Sequence, residues 1–153
     1  MLELDYSKRL DSLIQSLDWQ IQLPPFWSTF FKDVGESSTL QNDERQNRRM
    51  KVRTLAVLHY ERSLPSMPRP DQPIGVYIKD FTRRSCGFIS ANQLFPEEIV
   101  RIILPTFWIR LHLVRARRVG PSCYEYGGEL LEQNQPSDLA FKGISMPDPL
   151  LLA

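Results

Sequence analysis

Apolar residues recur at helical spacing near the start of the chain and at strand spacing over most of its remaining length. Leu10, Leu13, Ile14 and Leu17 repeat every three or four positions, with Lys8, Arg9, Asp11, Gln15 and Ser16 on the other faces. That pattern predicts an amphipathic helix over residues 5–18, with Asp5 or Ser7 available as its cap. Trp19, Ile21 and Leu23 then alternate with Gln20 and Gln22 until Pro24-Pro25 interrupts any regular element. Phe26, Trp27, Phe30 and Phe31 form an aromatic cluster, expected to pack on the main domain. From Gly35 to Asn47 the chain is polar and rich in Ser, Asn, Gln and acid, which reads as a mobile linker.

Beyond it the period shortens. Val52–Tyr60 is β-branched and apolar on both faces, and residues 63–73 carry four prolines and read as a long connection. Gly75–Phe81, a short Gly87–Ser90 and Glu98–Leu104 come next as strands, the last ended by Pro105. Ile109-Arg110-Leu111-His112-Leu113 alternates cleanly, after which Val114, Ala116 and Val119 fall out of phase. A slip of this kind predicts a β-bulge or bend, as small barrels need where a strand turns a corner. Ser122–Tyr126 resumes a strand with Gly127-Gly128 behind it, and the proline-marked segment after Gln133 is expected to be loosely held.

Five or six short strands behind one helix argue for a mostly β fold, a small antiparallel barrel. The aromatic cluster would plug the open end of such a barrel or, alternatively, offer a surface to a partner. The organisation expected is residues 1–43 as helix, aromatic segment and linker, 44–132 as the barrel, and 133–153 as a tail.

Composition changes little in this picture. With 153 residues, 42% hydrophobic and 24% charged, the chain is long enough to close a core and has the make-up of a globular domain. No apolar run reaches the roughly 18–20 residues of a membrane span, and Asp5 and Asp11 interrupt any signal-peptide order, so a cytoplasmic address is expected by default. Cys86, Cys123, His59 and His112 are too few and too scattered to read as a disulfide framework or a zinc site; buried thiols are expected, and no metal or cofactor.

Charge is more informative in its distribution than in its sum. The net charge is +1, yet residues 45–53 hold five basic side chains and residues 110–118 hold four arginines. Concentrated positive patches on a near-neutral chain suit a discrete anionic ligand better than long nucleic acid. Glycine-loop, serine-hydrolase, zinc-protease and calcium-loop signatures are absent, and Glu97-Glu98, as neighbours, cannot work as an acid/base pair on one strand face. A binding protein is expected, not an enzyme. Arg45 and Arg49 stand four apart just ahead of the first barrel strand, and guanidinium forks grip phosphate oxygens or the O6/N7 edge of guanine. Asp80 ends a strand with Thr82 in the turn behind it; a carboxylate there accepts from guanine N1–H and N2–H. Taken singly, a basic run is the pattern of a solvated flank, and Asp-x-Thr that of an Asx or ST turn.

The order and separation of the two segments resemble the PilZ domain family, which carries an RxxxR motif before the first barrel strand and a [D/N]xSxxG motif about thirty residues later. Arg45-Gln46-Asn47-Arg48-Arg49 matches the first, and Asp80-Phe81-Thr82-Arg83-Arg84-Ser85 occupies the place of the second, with Thr82 for serine and Ser85 for glycine. Leu94-Phe95-Pro96-Glu97-Glu98 leading into Val100–Pro105 looks like the family's next strand, so the likeness spans residues 44–132. It implies a six-stranded antiparallel β-barrel that binds the bacterial second messenger cyclic di-GMP. Arg45 and Arg49 would clamp phosphate and guanine, Arg48 would help neutralise a stacked ligand dimer, and Asp80, Thr82 and Ser85 would hold the other side. The signal would pass to an unidentified downstream protein. An alternative is a protein–protein interaction module, marked by Ser85, that no longer binds nucleotide; a third is a nucleic-acid binder working through its basic patches.

Overall fold

The computed structural model of the chain describes residues 3–36, 50–66, 69 and 72–145. One helix, α1 (Glu3–Ser16), precedes seven strands: β1 (Gly35–Glu36), β2 (Met50–Arg62), β3 (Ile74–Phe81), β4 (Ser85–Ser90), β5 (Ile99–Ile103), β6 (Trp108–Gly120) and β7 (Cys123–Asn134). All pairings are antiparallel, in the order β1-β2-β3-β4-β7-β6-β5, and β5 pairs back onto β2. The six long strands therefore form a closed barrel that leaves no open sheet edge. Two-residue β1 lies alongside the start of β2, Gly35 opposite Lys51. No helix among the described residues is long and apolar enough to cross a membrane.

Alternation along each strand sends one set of side chains into the barrel and the other outward. Ala56, Leu58, Val76, Ile78, Phe88, Val100, Ile102, Ile109, Leu111 and Leu113 fill the interior. Tyr126 joins them, its hydroxyl donating to Asn92 O at 2.8 Å and accepting from Leu94 N–H at 2.7 Å. The phase slip in β6 is a bulge: the β6–β7 register shifts between Leu113 and Arg115 and leaves Val114 at the surface. β7 runs on through Gly127-Gly128 to Asn134 rather than stopping at Tyr126, because β4 and β6 supply hydrogen bonds on both sides of it. Neither glycine makes a turn.

The N-terminal segment lines the outer wall. Tyr6, Leu10 and Leu13 of α1 pack on Val57, Ile103 and Trp108, whose side chains point out of the barrel. The Tyr6 hydroxyl reaches Leu104 O at 2.6 Å and Phe107 O at 2.8 Å, so Asp5 and Ser7 lie inside the first turns and not at a cap. Trp19 donates its indole N–H to Ile14 O at 2.9 Å, closing the helix end, and stacks on Tyr77 at 5.8 Å. Residues 19–23 form no strand, yet their alternation serves packing: Ile21 and Leu23 join Phe30, Ile89 and Cys123 in an outer cluster. The aromatic cluster thus covers β3, β4 and β7 from outside and does not plug the barrel's end. Arg53 lies over Phe30, 4.3 Å from the ring centre.

The segment after β7, expected to be loosely held, is anchored as far as Ile144. Ala140 and Phe141 are buried against α1, and Arg101 donates to Ala140 O and Lys142 O while pairing with Glu61 at 2.6 Å. Cys86 and Cys123 are both buried free thiols, one inside the barrel and one in the outer cluster. Burial pushes the Cys86 thiol well up, with the Asp80 charge adding to it.

Candidate functional site

The β3–β4 hairpin builds the site. Phe81 and Cys86 are its last paired residues, and Thr82 N–H donates to Ser85 O at 3.0 Å across the turn. Thr82 spends its hydroxyl locally, 2.6 Å from Ser85 Oγ and accepting from Arg84 N–H at 3.2 Å, an ST turn. Ser85 opens β4 outside the left-handed region of backbone space, so its Cβ carries no backbone strain. The demand for glycine is steric and sits two residues later. A Cβ on Gly87 would lie 2.6 Å from Asp80 Oδ1, so only glycine there lets the carboxylate fold down onto the sheet.

A bulge between Ile78 and Asp80 makes that orientation possible. Ile78 points into the barrel, and in an unbroken strand Asp80 would do the same; the register shift turns Asp80 to the outer face and sends Phe81 inward. Asp80 is only 8% exposed, set in a groove of about 510 Å³ across the outer faces of β3, β4, β7 and β6. Lys79, Ser85, Gly87, Arg115, Arg117, Glu125 and Gly127 share that groove, whereas Thr82 is not among its lining residues.

The groove carries a strong local field. Glu125 receives Lys79 Nζ at 2.7 Å on one oxygen and Arg117 Nη2 at 2.7 Å on the other, and Lys79 lies 3.7 Å from Asp80. Burial alone would raise the Glu125 carboxyl, but hydrogen bonding and charge from Lys79 and Arg117 outweigh it and hold the group below its ordinary value. Arg53 stands behind the groove with its side chain 6% exposed, donating from Nε to Asp33 O at 3.0 Å. Burial pulls its pKa down, and the charges of Asp33, Asp80 and Glu125 offset part of that cost.

Of the residues expected to bind ligand, Asp80 and Ser85 share the groove, Thr82 closes the turn at its rim, and Arg45, Arg48 and Arg49 lie outside the described residues. The register nevertheless shows where their segment joins the barrel: Met50 pairs with Phe81 and Lys51 with Asp80. Lys79, Arg117 and Glu125 were missed by sequence reasoning. The arginines of 110–118 are visible as a basic run, but only pairing of β7 with β4, about forty residues earlier, brings Arg115 and Arg117 into the groove with Asp80. The chain matches no family model, no curated protein and no solved structure.

Proposed function

We propose that the protein is a cytoplasmic receptor domain for the bacterial second messenger cyclic di-GMP, working in the manner of a PilZ domain and passing its signal to a downstream protein. The observation that carries this reading is the pairing of Lys51 with Asp80, which joins the segment holding Arg45, Arg48 and Arg49 to the barrel directly beside the Asp80 groove. A largely buried carboxylate acceptor, a hydroxyl and several cations around one open groove match the polar edges of guanine and its phosphates. In this reading Arg45 and Arg49 take phosphate and guanine, Arg48 supplies further neutralising charge, and Asp80 accepts from the base. Ser85 contributes its hydroxyl from the groove, and Thr82 holds the turn in shape.

Calorimetric titration with cyclic di-GMP tests it. Saturable binding is expected, weakened roughly five- to a hundredfold by Arg49→Ala and by Asp80→Asn. No heat at tens of micromolar ligand, or unchanged affinity in both variants, would overturn the reading.

A further inference from the structure

Side chains in register across the barrel wall make a continuous row: Lys51 on β2, Asp80 on β3, Gly87 on β4, Gly127 on β7 and Arg115 on β6. Its middle is a cross-strand pair of glycines, which leaves room for the charged side chains on either side to fold in over the backbone. From one side Asp80 folds over Gly87. From the other, Arg115 folds over Gly127, where a Cβ would lie 2.6 Å from Nη2 and 3.0 Å from Nε. A side chain at either glycine would push its charged neighbour off the backbone.

Arg115 differs from the other cations of the groove. Lys79 and Arg117 already share Glu125, whereas among the described residues Arg115 has no carboxylate partner. Arg115 is exposed, and its guanidinium lies over Gly127. An acceptor-only carboxylate over Gly87 and a donor-only guanidinium over Gly127 therefore lie side by side on neighbouring strands, whose spacing is about 4.8 Å.

Resting on the cyclic di-GMP receptor reading, we propose that Arg115 is a specificity-determining ligand contact. A guanine base meets the pair edge-on, giving N1–H and N2–H to Asp80 and receiving the Arg115 fork on its O6/N7 edge. Adenine carries an amino donor where guanine carries O6, so the same fork rejects it. Lysine at this position would keep the charge and lose the two-pronged geometry.

The full-length chain and its Arg115→Ala and Arg115→Lys variants would be titrated with cyclic di-GMP and with cyclic di-AMP, each variant first melted to verify that it folds like the parent. Both variants are expected to bind cyclic di-GMP roughly five- to a hundredfold more weakly, with a smaller preference over cyclic di-AMP. If the parent binds and Arg115→Ala binds equally well, the assignment is overturned while the receptor reading stands. If only Arg115→Ala is weakened and Arg115→Lys matches the parent, edge recognition is overturned in favour of simple charge. A parent that takes up no cyclic di-GMP overturns the receptor reading and this contact together.

Discussion

At the scale of single residues, the placement of Asp80 depends on the bulge at Lys79 that turns it outward and on Gly87, which leaves it room. Gly87→Ala should displace the carboxylate. We expect a destabilisation of about 1–3 kcal/mol in denaturant unfolding, as for other overpacked sites, together with a loss of cyclic di-GMP affinity as large as that of Asp80→Asn. A variant with parental affinity would mean that Asp80 need not lie on the sheet. Glu125 makes a pH-dependent contribution whose sign is set by its lowered pKa. The native state binds its proton less readily than the unfolded chain, so the stabilisation is complete above the ordinary value of 4.5 and is lost as pH falls through the lower native value. Denaturant midpoints measured from pH 7 to pH 3 should fall less steeply for Glu125→Gln than for the parent; superimposable slopes would remove Glu125 from the acid response.

At the scale of elements, α1 and the segment after β7 hold each other against β2, β5 and β6. Tyr6 is the polar anchor on one side, and Arg101, with Glu61, is the anchor on the other. Tyr6→Phe keeps the ring contact with Phe141 but leaves Leu104 O and Phe107 O without the hydroxyl. The expected cost is about 1–3 kcal/mol by chemical denaturation. Arg101→Met should free the carbonyls of Ala140 and Lys142, and faster amide exchange confined to residues 138–145 and α1 is the expected signature. Exchange that speeds up evenly throughout the barrel would show that Arg101 supports the sheet itself.

At the scale of the molecule, the barrel has two apolar surfaces, and its interior is only one of them. Outward-facing Val57, Ile103 and Trp108 are covered by α1, and outward-facing Ile89 and Cys123 by Phe30 and its neighbours. The N-terminal segment is therefore part of the folded unit, and a chain beginning at residue 44 would expose both patches. Such a truncation is expected to aggregate or melt well below the full chain in light-scattering and thermal measurements. A monomeric truncation with the parental melting temperature would show that the barrel needs no outer cover.

Element type was legible wherever a period ran uninterrupted. The helical stripe of Leu10, Leu13, Ile14 and Leu17, the strand runs around Leu58, Ile78 and Ile102, and the phase slip after Leu113 each report local geometry directly, because side-chain direction is set by backbone period. Asp80 could be singled out for the same local reason, at the end of a strand with a turn behind it. Long-range pairing was not legible. Gly127-Gly128 carries the local signal of a turn, yet β4 and β6 on either side make it mid-strand. The alternation at Trp19–Leu23 is strand-like, yet those residues pack without joining the sheet. Which charges surround Asp80 was likewise decided only by the pairing of β7 with β4 and β6, which brings Arg115, Arg117 and Glu125 to residues far earlier in the chain. Local period therefore determined the parts, and the distribution of charge the basic stretch before them; register across the closed sheet decided which residues became neighbours.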